Sequence, residues 1–306
     1  GATEADNQAV FGVLASRPGG LVVSATEHPA VLNAARRAEL QGRDVRYVQP
    51  LHDGSVPLEG IREALLAHAA GEGTALVAVM YVNNETGVLA TPSAVAELAH
   101  EFGALYLCDA VQALGAEPMQ VSELGADLVA VSGHKVYGPK GVGALVLRPG
   151  LELPPLLAGG EHERGYRPGT HNLPAIAGMA VAVERAVAEQ PAERRRLAAV
   201  QSAFEGAALA LPGVSLNGAG AKRSVRHSNL AIAGAAGETL LMLLDEAGVM
   251  VSAGSACAAG SLDPSHVLLA MGLSRDAAKA SVRFSFGKLV EESHALRAVE
   301  VLAATL

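Results

Sequence analysis

Residues 127–135 read DLVAVSGHK, an apolar run of strand length that ends in serine, glycine, histidine and lysine. A short, continuous apolar run is typical of a strand that is buried on both faces. Strands are predicted at 21–25, 45–48, 75–82, 105–108, 128–131 and 144–147, and helical patterns separate them at 30–41, 58–69, 92–102 and 175–188. This alternation predicts an α/β fold with a mainly parallel sheet covered by helices on both faces.

The pattern changes near Pro191, where charged residues precede a long helix that continues to about residue 211. The prediction beyond it is strands at 228–233 and 281–285, and helices at 237–246, 264–270 and 291–305. We therefore expect a large domain at 1–188 and a smaller C-terminal α+β domain at 189–306.

Composition excludes several classes of function. The 306 residues carry a net charge of −8, which gives no basic face for nucleic acid. The sequence contains no apolar run of the roughly 20 residues that cross a bilayer, so we expect no membrane partner. Two cysteines, Cys108 and Cys257, make a disulfide framework implausible and favour a reducing compartment, the cytoplasm.

Lys135 follows the strand predicted at 128–131 and precedes the turn sequence GPKG at 138–141. In parallel sheets, ligands gather outside the carboxyl ends of the strands. A lysine there reaches an aldehyde and, as a neutral amine, forms a Schiff base when its surroundings lower its pKa. Taken alone, however, a loop lysine is far more often a solvated surface residue.

Asp109 begins the sequence DAVQ directly after another predicted strand. A carboxylate at this place pairs with a protonated pyridine nitrogen and keeps the ring able to accept electrons. Gln112 is close enough in sequence to hydrogen-bond a hydroxyl of the same ring. The alternative for Asp109 is a cap on a following helix.

Two further motifs have both a ligand-binding and a plain structural interpretation. GATEADN at 1–7 offers the backbone of Ala2 and the hydroxyl of Thr3 to an anion, or forms a capping box from Thr3 and Asp6. His28 precedes a proline suited to the first turn of a helix. Its imidazole either stacks on a planar ring and exchanges protons, or is an ordinary loop histidine.

In their order along the chain, these motifs resemble those of the fold-type I pyridoxal-phosphate enzymes. The set consists of GATEADN at 1–7, TEH at 26–28, VNNETG at 82–87, DAVQ at 109–112, SGHK at 132–135, ERG at 163–165, RPGT at 167–170, VSAGSAC at 251–257 and SVRFS at 281–285. More narrowly, the chain is similar to the cysteine desulfurases of the iron–sulfur assembly and nitrogen-fixation type, in the class V aminotransferase family. The resemblance covers essentially the whole chain.

The resemblance implies a role for each matching residue. Lys135 holds pyridoxal 5'-phosphate, and no metal is implied. The other cofactor contacts are Asp109 to the pyridine nitrogen, Gln112 to the ring oxygen, His28 stacked on the ring, and Ala2, Thr3, Ser132 and His134 at the phosphate. Thr170 matches a residue that reaches the phosphate of the partner subunit, which implies a homodimer. Asn84 and Arg283 match residues that hold the substrate carboxylate, a role that suits a guanidinium fork.

Cys257 determines the reaction that the resemblance implies, the conversion of L-cysteine to L-alanine. Lys135 or His28 removes the α-proton, and the Cys257 thiolate takes the substrate sulfur as a persulfide and passes it to a sulfur-acceptor or iron–sulfur scaffold protein. The Gly- and Ala-rich segment around Cys257 predicts a mobile loop at 255–266. Cys108, at the end of an apolar strand, is predicted to be a core residue.

Two rival interpretations remain open. A selenocysteine lyase or another β-eliminating enzyme would keep the fold, although the long Cys257 loop argues against it. A non-catalytic sulfur-carrier scaffold would need none of Lys135, Asp109, Gln112 and Cys257. Since the chain opens at the GATEADN motif, we also expect that the family's N-terminal segment is missing from it. Glu161 departs from the family pattern, which has a glycine there.

Overall fold

The computed structural model describes residues 1–253 and 263–306. Cys257 and most of the loop predicted at 255–266 therefore lie outside the described residues. The chain forms two compact units. The first contains Gly1–Gln49, Val56–Val82 and Ala90–Glu189, and the second contains Pro50–Ser55, Asn83–Leu89 and Gln190–Leu306.

The first unit is built on a six-stranded sheet with the order β2-β1-β3-β4-β5-β6. Its strands are β1 Gly20–Ser24, β2 Val45–Val48, β3 Thr74–Ala78, β4 Leu105–Asp109, β5 Leu128–Ser132 and β6 Gly143–Leu147. All neighbours are parallel except β5 and β6. The predicted α/β fold with a mainly parallel sheet is thus confirmed.

The helices of the first unit begin with α1 Ala2–Ser16, and α2 Pro29–Leu40, α3 Leu58–Ala69, α4 Pro92–Glu101 and α5 Val121–Leu124 follow it. Every residue of β1, β3, β4 and β5 is buried, which explains their continuous apolar sequences. Asp109 pairs in register with Ala130 of the parallel neighbour β5. Asp109 and Ser132 therefore end their strands at the same edge of the sheet, and Lys135 follows in a 3₁₀ turn at Gly133–Val136.

The second unit contains a three-stranded antiparallel sheet of β7 Val214–Asn217, β8 His227–Ile232 and β9 Ser281–Ser285, in that order. Its helices are α7 Gly237–Glu246, α8 His266–Ala270, α9 Arg275–Lys279 and α10 Glu292–Thr305. Phe204 lies at the centre of its core, with its ring centroid 4.7 Å from that of Phe284.

Two details differ from the sequence predictions. The expected break at Pro191 is absent, because α6 runs without interruption over Leu173–Ala208. A proline removes one hydrogen bond from a helix, but buried residues on both sides, Ala186 and Leu197, favour its continuation. The capping box is also wrong: Gly1 is the N-cap of α1, and Thr3 and Asp6 lie inside the helix. Among the described residues, no helix is both long enough and apolar enough to cross a membrane.

Candidate active site

The carboxyl ends of β4 and β5 bring Asp109 and Lys135 into electrostatic contact. Asp109 is 6% exposed, and its Oδ1 accepts a hydrogen bond of 2.9 Å from the backbone N–H of Val111. Burial raises the pKa of Asp109 to about 6, against the opposing effects of this N–H and of the Lys135 ammonium. The predicted pair of a strand-end lysine and a strand-end carboxylate is therefore present in one place.

A second group of candidate residues surrounds the start of α1. The Ser132 hydroxyl and His134 Nδ1 form a hydrogen bond of 2.8 Å. Gly143, which pairs with Ser132, passes so close to Gly1 that a Cβ at position 143 would lie 2.9 Å from the Gly1 backbone. No side chain caps α1 at Gly1. This arrangement places the positive end of a helix dipole beside Ser132, as a phosphate site requires.

His134 adds a neutral imidazole to this group. Burial lowers the pKa of His134, and the positive charges of Lys135 and Lys140 lower it further. A neutral ring can donate one hydrogen bond to an anion while its other nitrogen is engaged by Ser132.

His28 is held by its own helix. It is the N-cap of α2, and its Nδ1 accepts a hydrogen bond of 3.1 Å from the backbone N–H of Ala30. When the ring is neutral, its proton is consequently on Nε2. The cap therefore fixes the tautomer of His28, with the ring proton on Nε2.

Gln112 and Thr170 are accessible to ligands or partners. Gln112 is half-buried, and its side-chain amide makes no hydrogen bond within the described part of the chain. Thr170 is exposed, in the loop that precedes α6. In the same loop Glu161 has a φ of −79°, a value open to any residue, so its departure from glycine causes no backbone strain.

The second unit contains the pair that was assigned to the substrate carboxylate. Arg283 donates a hydrogen bond of 2.7 Å from Nη1 to the backbone carbonyl of Asn84. Asn84 is buried and lies in a turn, and Arg283 lies in the middle of β9. This contact brings the two predicted residues together within one unit.

Sequence reasoning missed two buried acids near Asp109. Glu27 and Asp6 are each 1% exposed, and charge repulsion from Asp109 raises the pKa of both, after burial itself. The pKa of Glu27 rises to about 8, although its Oε1 accepts a hydrogen bond of 2.6 Å from the Met80 N–H. Helical periodicity was the available signal for Asp6, because it shares the buried face of α1 with Val10 and Val13.

The residues of the first unit fit pyridoxal phosphate. An aldehyde needs an amine, a protonated ring nitrogen needs a buried anion, and a phosphate needs N–H and hydroxyl donors. Lys135 supplies the amine and Asp109 supplies the buried anion. The start of α1 at Gly1, together with the hydroxyl of Ser132, supplies the donors for the phosphate. No three His, Cys, Asp or Glu side chains within residues 1–253 and 263–306 are arranged to hold a metal ion.

The sheet order and this strand-end site define an α/β enzyme of the fold-type I pyridoxal-phosphate class. The aminotransferase class-V family matches residues 1–295. The chain belongs to this family.

Within this family, the chain is similar to several proteins that are named cysteine desulfurases. A cysteine desulfurase IscS of Anaeromyxobacter dehalogenans is 41% identical over 298 residues, which are 95% of this chain and 72% of that protein. The IscS of Azotobacter vinelandii is 41% identical over 297 residues, again 95% and 72% of the two chains. Among solved structures, a NifS-like protein from Rickettsia africae matches with a TM-score of 0.89 at 26% identity, covering 99% of this chain and 79% of that one. SspA in complex with cysteine has a TM-score of 0.80 at 32% identity, covering 94% and 79%.

Proposed function

We propose that this chain is a pyridoxal-phosphate-dependent cysteine desulfurase. It converts L-cysteine to L-alanine, and the sulfur leaves as a persulfide on Cys257. The observation that carries the proposal is the contact between Lys135 and Asp109 at adjacent strand ends, in a chain whose relatives are named cysteine desulfurases. A cysteine-bound SspA structure among the similar folds supports the choice of substrate.

The bound cofactor supplies a ring that accepts the electrons released at the substrate α-carbon. Lys135 holds the cofactor aldehyde, and Asp109 keeps a proton on the ring nitrogen. Ser132, His134, Thr3 and the Ala2 backbone hold the phosphate, and Gln112 binds the ring oxygen. Lys135 then takes the α-proton, because the neutral ring of His28 carries its proton on Nε2 and can only donate from that nitrogen.

Asn84 and Arg283 hold the substrate carboxylate, which leaves the sulfur end of the substrate for Cys257. The Cys257 thiolate attacks this sulfur, the carbon–sulfur bond breaks, and its electron pair goes to the substrate carbon. Protonation there completes alanine, so that one cysteine and one thiol give one alanine and one persulfide. The persulfide sulfur then passes to an acceptor or iron–sulfur scaffold protein.

The domain division and the assembly state belong to the same proposal. Residues 1–188 supply the cofactor domain and residues 189–306 the small domain with the cysteine segment, except that Pro50–Ser55 and Asn83–Leu89 belong to the second unit. We infer a cytoplasmic location from the scarcity of cysteines. We also propose a homodimer in which Thr170 reaches the partner's phosphate site, and an exposed apolar face supports the dimer. On α6, Leu173, Val181 and Val187 are 67%, 52% and 57% exposed, more than expected for apolar residues of a lone monomer.

The test is an assay of alanine and sulfide from L-cysteine with the purified, cofactor-loaded protein and dithiothreitol. Wild type should release equal amounts of both. Lys135→Ala should lose the visible absorption of the lysine-bound cofactor, with a loss of rate of about two to four orders of magnitude. Cys257→Ala should keep the absorption and lose persulfide formation.

Cys108→Ala is the matched control for the cysteine. Cys108 is fully buried, and burial raises the pKa of its thiol to about 12, so it is unreactive as a nucleophile. The control should retain sulfur release. An unchanged absorption in Lys135→Ala, or full sulfur release by Cys257→Ala, would contradict the proposal.

A further inference from the structure

Two motifs of the sequence contain charged residues that the proposed function does not use, Glu4 of GATEADN and Arg167 of RPGT. The structure brings these two residues together within the first unit. Arg167 donates hydrogen bonds from Nε to Glu4 Oε1 at 2.8 Å and from Nη2 to Glu4 Oε2 at 3.4 Å. This is the forked geometry in which a guanidinium binds a carboxylate through two parallel hydrogen bonds.

Glu4 lies in the first turn of α1, the helix whose start is assigned to the cofactor phosphate. Its backbone N–H donates a hydrogen bond of 3.1 Å to the Gly1 carbonyl. The hydrogen bond from Arg167 lowers the pKa of Glu4, against the effect of burial, so Glu4 is ionised at neutral pH. A carboxylate in this turn is favourable for the helix dipole. It repels a phosphate bound at the same end of the helix, however, because the two charges have the same sign.

The position of Arg167 is set by a second contact between its loop and α1. Gln8, which lies one turn beyond Glu4 on the same side of the helix, donates a hydrogen bond of 2.6 Å from Nε2 to the Tyr166 carbonyl. Gln8 is buried, and the Tyr166 hydroxyl donates a hydrogen bond of 3.2 Å to the Leu151 carbonyl. The backbone beside Arg167 is therefore held against α1 by contacts that do not involve the guanidinium.

We propose that Arg167 is a positioning residue for the cofactor phosphate. It holds and neutralises the Glu4 carboxylate, so that the start of α1 binds an anion beside a residue that would otherwise repel it. The proposal rests on the proposed function for the identity of that anion, the phosphate of pyridoxal phosphate. It adds to that function a residue that acts through Glu4.

The deciding variant is Arg167→Met, which removes the charge and keeps a long, unbranched side chain. The negative charge of Glu4 is then uncompensated, and the Kd for pyridoxal phosphate should rise about five- to tenfold, between the effect of an exposed ion pair and that of a hydrogen bond to a charged group. Titration of the cofactor-free protein with pyridoxal phosphate, followed by visible absorption, measures this Kd. Because salt screens the repulsion, the loss relative to wild type should be smaller in about 1 M than in about 0.05 M potassium chloride.

The charge of Glu4 distinguishes neutralisation from a purely structural contact. Glu4→Gln removes the negative charge and keeps an oxygen that accepts from Arg167, so its Kd should be equal to that of wild type or lower. The double variant with Arg167→Met has no charge at either position, and its Kd should return to within about twofold of wild type, the ordinary scatter of a surface change. If Glu4→Gln weakens binding as much as Arg167→Met does, or if the double variant binds no better than Arg167→Met, the neutralising role is wrong.

Arg62→Met is the matched control. Arg62 forms the same forked contact with Glu101, at 2.9 and 3.0 Å, and its side chain is 39% exposed against 40% for Arg167. Glu101 ends α4, which leads into the amino end of β4, whereas the site lies at the carboxyl ends of the strands. Arg62→Met should therefore leave the Kd for pyridoxal phosphate unchanged. An equal rise of Kd in Arg62→Met and Arg167→Met would overturn the positioning role.

The same proteins separate this inference from the proposed function. If wild type binds pyridoxal phosphate more tightly than Arg167→Met but makes no alanine from cysteine, the proposed function fails and the role of Arg167 is supported. If wild type makes alanine and Arg167→Met has the same Kd as wild type, the role of Arg167 alone is overturned. A wild type that binds no pyridoxal phosphate would overturn both.

Discussion

The buried carboxylates of the two units are treated differently. In the first unit, burial dominates: Asp6 makes no side-chain hydrogen bond within the described part of the chain, and the pKa values of Asp6, Glu27 and Asp109 are all raised. In the second unit, Glu85 is just as buried, but its carboxylate binds Ser265 and its backbone binds Asn83 and Asn229. The first arrangement favours the protonated form of its carboxyl groups. The second arrangement fixes the positions of the side chain and backbone of Glu85.

The sheets explain part of this difference. Parallel strands that are buried on both faces end at a common edge, so acids placed there are desolvated together and repel one another. In the antiparallel sheet, polar side chains on neighbouring strands can form hydrogen bonds with one another. Asn217 Nδ2, for example, donates a hydrogen bond of 2.8 Å to Asn229 Oδ1. Buried acids therefore gather at the edge of the large sheet, whereas polar side chains of the small sheet fix one another within the second unit.

The largest effect should come from Glu27→Gln in the cofactor-free protein. The pKa of Glu27 is about 8 when folded against 4.5 for the free group, so its contribution to stability is complete below pH 4.5 and is lost as the pH rises towards 8. At about 1.4 kcal/mol per pKa unit, this amounts to about 3 to 5 kcal/mol. Urea unfolding measures the free energy of unfolding at pH 5 and at pH 8. The difference between these two values should be smaller in the variant than in wild type.

The control for Glu27→Gln is Val13→Ala, which removes buried apolar volume from α1 without a change of charge. It should lower the free energy of unfolding equally at both pH values, by about 0.5 to 3 kcal/mol. If Glu27→Gln also changes the free energy of unfolding equally at both pH values, the Glu27 carboxyl is not protonated in the folded first unit. The contrast with Glu85 then disappears.

Asp109→Asn should have the next largest effect. Loss of the carboxylate that keeps the ring nitrogen protonated should lower kcat by about a hundredfold, as for other preorganised electrostatic contacts. Asp6→Asn removes the neighbouring acid and leaves Asp109 in place, so it should keep kcat within about threefold, the ordinary scatter of a peripheral change. Stopped-flow measurement of alanine formation compares the two. Equal losses would mean that the cluster, and not Asp109, supports the reaction.

Local patterns predicted the large sheet and placed Lys135 and Asp109 at strand ends, whereas their role at one cofactor came from the resemblance. A buried strand is a short apolar run, and the polar residue that ends it lies at the ligand-binding edge. Asp6, which lies one turn into α1, was missed because an acid near the start of a helix is usually a solvated or capping residue. Pro191 was misinterpreted because proline is a local signal, whereas burial along α6 is set by tertiary packing.

The contact between Glu85 and Ser265 had no local signal at all. The two residues are separated by 180 positions, and each has an ordinary sequence neighbourhood. Only the fold of the second unit brings them together. The assignment of Asn84 and Arg283 likewise came from resemblance, because neither composition nor periodicity relates residues this distant in sequence.

The smallest expected effect belongs to the phosphate end of the site. Ser132→Ala removes a hydroxyl whose hydrogen bond to a charged group is worth about 1.5 kcal/mol, so cofactor affinity should fall by about tenfold. Titration of the visible absorption with pyridoxal phosphate measures this directly. Ser24→Ala is the control for Ser132→Ala, because Ser24 also ends a buried strand of the same sheet. The Ser24 hydroxyl forms a hydrogen bond of 2.8 Å with the hydroxyl of Thr26. Ser24→Ala should cost stability and leave cofactor affinity unchanged, because the Ser24 hydroxyl bonds Thr26, whereas the Ser132 hydroxyl bonds His134, which is assigned to the phosphate. Equal losses of affinity in both variants would show that strand-end hydroxyls act through the sheet and not at the phosphate.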